Sequence, residues 1–112
     1  MSKERTEKAI MHAFLELLNN YPLDKITVKD IVNACGISRN TFYYHYQDIY
    51  DLLGATFDSV AELVFREDVT TWQQSLRSCT KFALDNRRAV YHVYRSGHRE
   101  QLERYLYRVT QE

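Results

Sequence analysis

Gly36 and Ser38, separated by a single residue, fix where this chain must turn. A glycine suits the left-handed position past a helix end, a serine two residues later offers a fresh N-cap hydroxyl, and Ile37 between them can pack beneath the bend. Upstream, Thr27 is a second hydroxyl N-cap with Asp30 three residues on, and Val28, Ile31, Val32 and Cys35 share one apolar face over barely two turns. The spacing predicts two short helices joined by a turn of about four residues, the punctuation of a helix-turn-helix unit.

In such a unit the second helix turns its exposed N-terminal residues toward a major groove and its apolar residues toward the first helix. Phe42 and Tyr46, four residues apart, form the inward pair, which leaves Arg39, Asn40, Thr41, Tyr43, Tyr44 and His45 mostly for the outside. Neighbouring helix positions point about 100° apart, so one surface cannot bury both Tyr43 and Tyr44. That is more aromatic and donor chemistry than a solvated face needs, and it marks a docking surface.

The rest of the chain is written at helical spacing. From Lys3 to Asn20, the residues Ala9, Ile10, Ala13, Phe14, Leu17 and Leu18 make one stripe, ended by Asn19, Asn20, Tyr21 and Pro22. A short connection leads to Thr27. Asp48 can cap a fourth helix with Leu52, Leu53, Phe57, Val60, Ala61 and Val64 on its stripe, broken at Glu67 and Asp68. Trp72, Leu76, Cys79, Phe82 and Ala83 mark a fifth, ending near Asp85 and Asn86. A sixth follows on Val90, Val93 and Tyr94, broken near Ser96 and Gly97, and a seventh on Leu102, Tyr105, Leu106 and Val109. Three Gly and one Pro in 112 residues leave little for β-hairpins or Gly-rich phosphate loops, so the expected fold class is all-α.

Charge and cysteine usage exclude more than they assign. Fifteen Lys and Arg balance fifteen Asp and Glu, so no overall attraction to a polyanion exists, although a neutral sum still permits a basic face. Cys35 and Cys79 have no C-x-x-C spacing and read as small buried hydrophobes, so neither a disulfide scaffold nor a zinc module is expected. Cys35, His45 and Asp48 are the candidates for nucleophile, base and orienting acid, but no oxyanion or metal motif accompanies them and Cys35 lies on a buried stripe. The expectation is a non-enzyme without cofactor or metal. No apolar run approaches the roughly 18 to 20 residues of a membrane span, and the charged start lacks a signal peptide's apolar stretch, so a cytoplasmic protein is expected.

From Tyr21 to Leu53 the sequence resembles the DNA-binding domain of TetR-family transcriptional repressors. The resemblance rests on Thr27-Val28, Asp30-Ile31, the turn Ala34, Gly36, Ile37 and Ser38, the segment Thr41 to Tyr46, and Asp51 to Leu53, and it covers roughly the first 65 residues. It implies a three-helix DNA-binding module over residues 1–48 and a helical regulatory domain over 49–112, working as a homodimer on a palindromic double-stranded operator and answering to a small-molecule effector. Carried over by position, Thr27, Ser38, Tyr43 and His45 would hold phosphates, and Arg39, Asn40, Thr41 and Tyr44 would meet base edges. Arg suits guanine O6/N7 and Asn suits adenine N6/N7. Lys25 and Lys29 would flank them on phosphates, and Lys3 and Arg5 would form an N-terminal arm.

Two departures accompany the resemblance. Ile49 stands where relatives commonly carry a lysine, which removes one phosphate anchor, and Tyr50 follows where an acidic residue is frequent. At 112 residues the chain also lacks the final helix pair through which relatives dimerise, so a fragment of a longer repressor is expected, or else pairing through the stripes Trp72 to Phe82 and Leu102 to Val109. An effector pocket is expected among Trp72, Cys79, Phe82, Tyr91 and Tyr94, in competition with plain core packing by the same aromatics, and Tyr105 belongs with them. Arg87, Arg88, Arg95, Arg99, Arg104 and Arg108 make that region basic, which suits a solvated face or, if two converge on one concavity, an anionic effector. The alternative function is a helix-turn-helix module for protein contact, or a truncated partner that sequesters full-length copies.

Overall fold

The computed structural model describes residues 3–64 and 71–96, together with Glu103, Arg104 and Tyr107. Among the described residues, six α-helices have both ends defined: α1 Lys3–Asn20, α2 Val28–Cys35, α3 Arg39–His45, α4 Ile49–Val64, α5 Trp72–Asp85 and α6 Arg87–Arg95. A 3-10 turn at Leu23–Lys25 links α1 to α2, and no strand occurs among the described residues. Glu103, Arg104 and Tyr107 are helical. The break at Glu67 and Asp68, Gly97, and Leu102, Tyr105, Leu106 and Val109 of the seventh stripe lie outside the described residues, as do Arg99 and Arg108.

Each short helix carries its own start signal. Thr27 and Asp30 form a capping box: the Asp30 amide donates to Thr27 Oγ1 at 3.1 Å and the Thr27 amide returns to Asp30 Oδ2 at 3.0 Å. The Thr27 amide, joined by the Thr27 hydroxyl, holds the Asp30 carboxyl below its ordinary pKa, because a donor beside the carboxylate favours the anion. Gly36 closes α2 at φ +71°, and the Ile37 amide reaches back to the Val32 carbonyl at 3.1 Å. Ser38 then caps α3, accepting from the Thr41 amide at 3.1 Å, and Asp48 caps α4, accepting from the Asp51 amide at 2.8 Å.

One buried cluster holds these helices together. Ile10, Phe14 and Leu18 of α1 meet Ile31 and Val32 of α2, Phe42 of α3, Tyr46, and Leu52 and Leu53 of α4. Leu23 and Ile26, three apart around the 3-10 turn, are buried in the same cluster, so the expected plain connection is a structural wedge. Full burial of each large side chain contributes roughly 1.5 to 3 kcal/mol before entropy is charged, which is why such short helices persist.

The cluster also reaches α6 through Ala89 and Val93, and three polar contacts fasten that helix to the end of α1. Asn86 makes no side-chain cap for α6; Asn19 Oδ1 accepts from the Ala89 amide at 3.2 Å instead. Asn19 Nδ2 donates to Asn86 Oδ1 at 3.0 Å and to the Leu15 carbonyl at 3.1 Å, and His92 Nδ1 donates to the Leu18 carbonyl at 2.6 Å. The start of α6 is thus capped by a residue seventy positions earlier. By contrast α5, begun by Thr71 accepting from the Gln74 amide at 3.2 Å, contains no buried residue.

Candidate nucleic-acid interface

The outer face of α3 is set by what its inner face buries. Phe42 and Tyr46 lie in the core as the sequence predicts, with ring centroids 5.9 Å apart. Their burial turns Arg39, Asn40, Tyr43 and Tyr44 outward, and Tyr44 is 80% exposed. Tyr43 braces edge-on against Phe42 with centroids 5.3 Å apart, so its hydroxyl end is presented from a fixed ring. At the helix start, Ser38 is exposed, while Thr41 is half-buried with its hydroxyl 3.0 Å from Ser38 Oγ. Both hydroxyls therefore already serve the cap, and the remaining capacity of Thr41 toward a ligand is chiefly its methyl group. Thr27, Lys25 and Lys29 are exposed at the adjoining start of α2.

His45 departs from the expected outward position. Its side chain is only 5% exposed and Nδ1 lies 3.2 Å from Glu7 Oε2 on α1. The reason is its place in the last turn of α3, where the ring folds under Tyr44, centroids 5.2 Å apart, toward a carboxylate on the first helix. Glu7 is the residue that the motif could not indicate. Its one sequence signal is position: it falls three residues before Ile10, so it continues the buried stripe of α1 with a charge. Nearby, the Tyr46 hydroxyl is buried without a hydrogen-bond partner, and burial, reinforced by Glu7 and Asp51, pushes its pKa up to about 12.

Other expectations shift as well. Lys3 and Arg5 lie in the first turn of α1, so they belong to a helix end and form no separate arm. Ile49 packs against the core where a cation was expected in relatives. Cys35 Sγ donates to the Ile31 carbonyl at 3.2 Å, and burial pushes its thiol pKa up, the reverse of an activated nucleophile. With His45 on Glu7 and Asp48 on the α4 cap, the three candidate catalytic side chains are engaged separately.

The expected effector residues do not form one pocket. Trp72 is 70% exposed on α5, which buries no residue, and Tyr91 and Tyr94 also stand on the surface, because α6 buries its other face through Ala89 and Val93. None of the three is core, and only Trp72 of them borders an open groove, along α5 with Leu76 and Leu84, among the described residues. Cys79 is exposed rather than buried, yet it and half-buried Phe82 do border a cavity of about 140 Å³ between α1, α4, α5 and α6. Arg87 and Arg88 share one concavity, but Glu16 and Asp85 line it too, so its charge is balanced. Arg95 instead lies 5.9 Å over the Tyr91 ring.

Comparison with known proteins places this geometry. Residues 10–56, from α1 into α4, match the family model for bacterial regulatory proteins of the tetR family. The HTH-type dhaKLM operon transcriptional activator DhaS of Lactococcus lactis subsp. lactis (strain IL1403) is 32% identical over 83 residues, covering 72% of this chain and 44% of that protein. A solved structure of a dihydroxyacetone kinase operon activator, DhaS, superposes with a TM-score of 0.73 at 25% identity, over 80% of this chain and 51% of the other. The chain spans about half the length of the relatives it matches. With the helix-turn-helix, its caps and its buried pair all in place, residues 10–56 of this chain carry the region that defines the tetR family of bacterial regulatory proteins.

Proposed function

We propose that the chain is a DNA-binding transcriptional regulator that lays α3 in the major groove of a palindromic operator, with a second copy on the other half-site. The observation that carries this reading is the row Arg39, Asn40, Tyr43 and Tyr44, exposed on a helix whose opposite face is sealed by Phe42 and Tyr46. Arg39, Asn40 and Tyr44 meet base edges, and the Thr41 methyl group adds an apolar contact. Thr27, Ser38 and Tyr43, flanked by Lys25 and Lys29, hold phosphates. His45 serves the placement of α3 through Glu7 rather than a phosphate.

In this reading residues 1–48 read DNA and residues 49–112 sense a small effector in the cytoplasm. Two recognition helices must sit roughly 34 to 36 Å apart, so a tilt of α4, which starts only three residues past α3, takes both out of register. The relatives are named as activators, which supports promotion of transcription over the repression expected from the sequence; a reporter assay decides the sign.

The test is a selection of duplex DNA with the purified chain, followed by titration at matched salt. Arg39→Ala should cost about 1 to 3 kcal/mol and relax one base preference, whereas Tyr43→Phe should weaken binding alike on every sequence. Unchanged affinity in both variants overturns the contact assignment, and failure to select any duplex leaves α3 as a protein-docking surface.

A further inference from the structure

We infer that the outer face of α5 docks a helical segment of a partner protein whose apolar stripe is flanked by carboxylates. Trp72, Leu76 and Leu84 are each more than half exposed and line one open groove along the helix. Every other large hydrophobic side chain exposed among the described residues is a tyrosine, whose hydroxyl end is readily solvated. The bulky groups least suited to water are thus gathered on α5, the one helix of α1 to α6 that buries no residue. Single hydrophobes are ordinary on a surface, whereas a gathered row marks a contact site.

Charge selects the occupant. Arg77 and Lys81 line the same groove, and neither is ion-paired to another described residue. Arg87, Arg88 and Arg95 continue the positive sign onto α6 against Asp85 alone in residues 71–96, while acidic residues outnumber basic ones over residues 3–64. The Arg87 guanidinium, 3.4 Å from the Leu84 carbonyl, joins the end of the groove to that run. A carboxylate-flanked helix therefore meets apolar groups along Trp72, Leu76 and Leu84 and opposite charge beside them. Exposed ion pairs add little affinity singly, so the apolar row supplies the strength and the cations choose the partner.

The chain's own candidates for this face carry the wrong sign. A second α5 would set Arg77 and Lys81 against their own copies, and the stripe Leu102 to Val109 brings Arg104 and Arg108 with Glu103 alone. Duplex DNA has the right sign, but its phosphate backbone offers nothing to Leu76 and Leu84. The inference goes beyond the regulator reading and uses none of the α3 residues.

Trp72 is the chain's one tryptophan, so its fluorescence reports on the site directly. The probes are a helical peptide with a leucine stripe flanked by glutamates, the same peptide with lysines in their place, polyglutamate and duplex DNA, each titrated against the full chain. The glutamate peptide should shift Trp72 emission to the blue saturably and bind more weakly as salt rises, and the lysine peptide should leave the emission unchanged. Trp72→Ala, read by anisotropy of the labelled glutamate peptide, should weaken it about ten-fold or more at the parent's helical content. Arg77→Glu combined with Lys81→Glu should reverse the preference between the two peptides. Equal affinity for both peptides, or no saturable binding of the glutamate peptide, overturns the inference. Polyglutamate binding as tightly as the amphipathic peptide, or displacement of that peptide by duplex DNA, does the same. A free chain whose Trp72 already emits in the blue also overturns it, and the mass in solution then tells a second copy from the chain's own C-terminal stripe.

Discussion

The helix-turn-helix segment and the α5–α6 segment are built from similar amounts of apolar sequence but hold their shape by opposite means. In the first, every helix start has its cap within three residues, at Thr27, Ser38 and Asp48, and each helix sends at least one side chain into the core. In the second, α5 buries nothing and α6 relies on α1 for its cap. Local punctuation specifies the first segment; in the second it reaches only the start of α5, at Thr71, and distant contacts specify α6.

Core truncation gives the largest contrast. Phe42→Ala should cost about 3 to 5 kcal/mol in chemical denaturation, because it empties a fully buried ring site. Trp72→Ala, despite removing a larger side chain, should stay within about 0.5 kcal/mol, since its ring is on the surface. A large loss at Trp72 would mean that α5 is covered in solution, and the contrast between segments would fall.

The distant cap gives the next effect. Asn19→Ala should destabilise by about 1 to 2 kcal/mol, with faster amide exchange at Ala89 and through α6 but little change in α2 and α3. Uniform exchange acceleration would show that the two segments unfold as one. Gly36→Ala sharpens the local side: open space surrounds its missing Cβ, so the cost of about 1 kcal/mol comes only from the positive φ.

The smallest effect concerns the hydroxyl stranded in the core. Tyr46→Phe should be neutral or stabilising by up to about 1 kcal/mol near neutral pH, as it removes a buried donor without a partner. The sign with pH follows from a phenol whose folded pKa is raised from 10 to about 12. The neutral ring is favoured by folding below pH 10, and stability falls as the unfolded chain ionises between pH 10 and 12. Parent and Tyr46→Phe should therefore diverge over that interval in alkaline melts, and parallel curves would place the hydroxyl in water.

The limits of sequence legibility follow the same division. The bounds of α1, the starts of α2 and α3 at Thr27 and Ser38, and the inward pair Phe42 and Tyr46 were readable because periodicity and caps act over one to two turns. The exposed face of α3 was readable for the same reason. His45 was misplaced because its partner, Glu7, lies thirty-eight residues away, and Trp72, Tyr91 and Tyr94 were misplaced because periodicity identifies a stripe without saying what covers it. Leu23 and Ile26 escaped notice because a single 3-10 turn is too short to show a period.

The borrowed cap on α6 has an evolutionary side. A recombination event that grafted foreign helices in place of α5 and α6 would bring a helix whose first turn lacks an acceptor unless Asn19, or a substitute at that corner, already matched it. Exchange of the helices beyond α4 is therefore gated by the last turn of the opening helix, at a residue remote from the exposed face of α3.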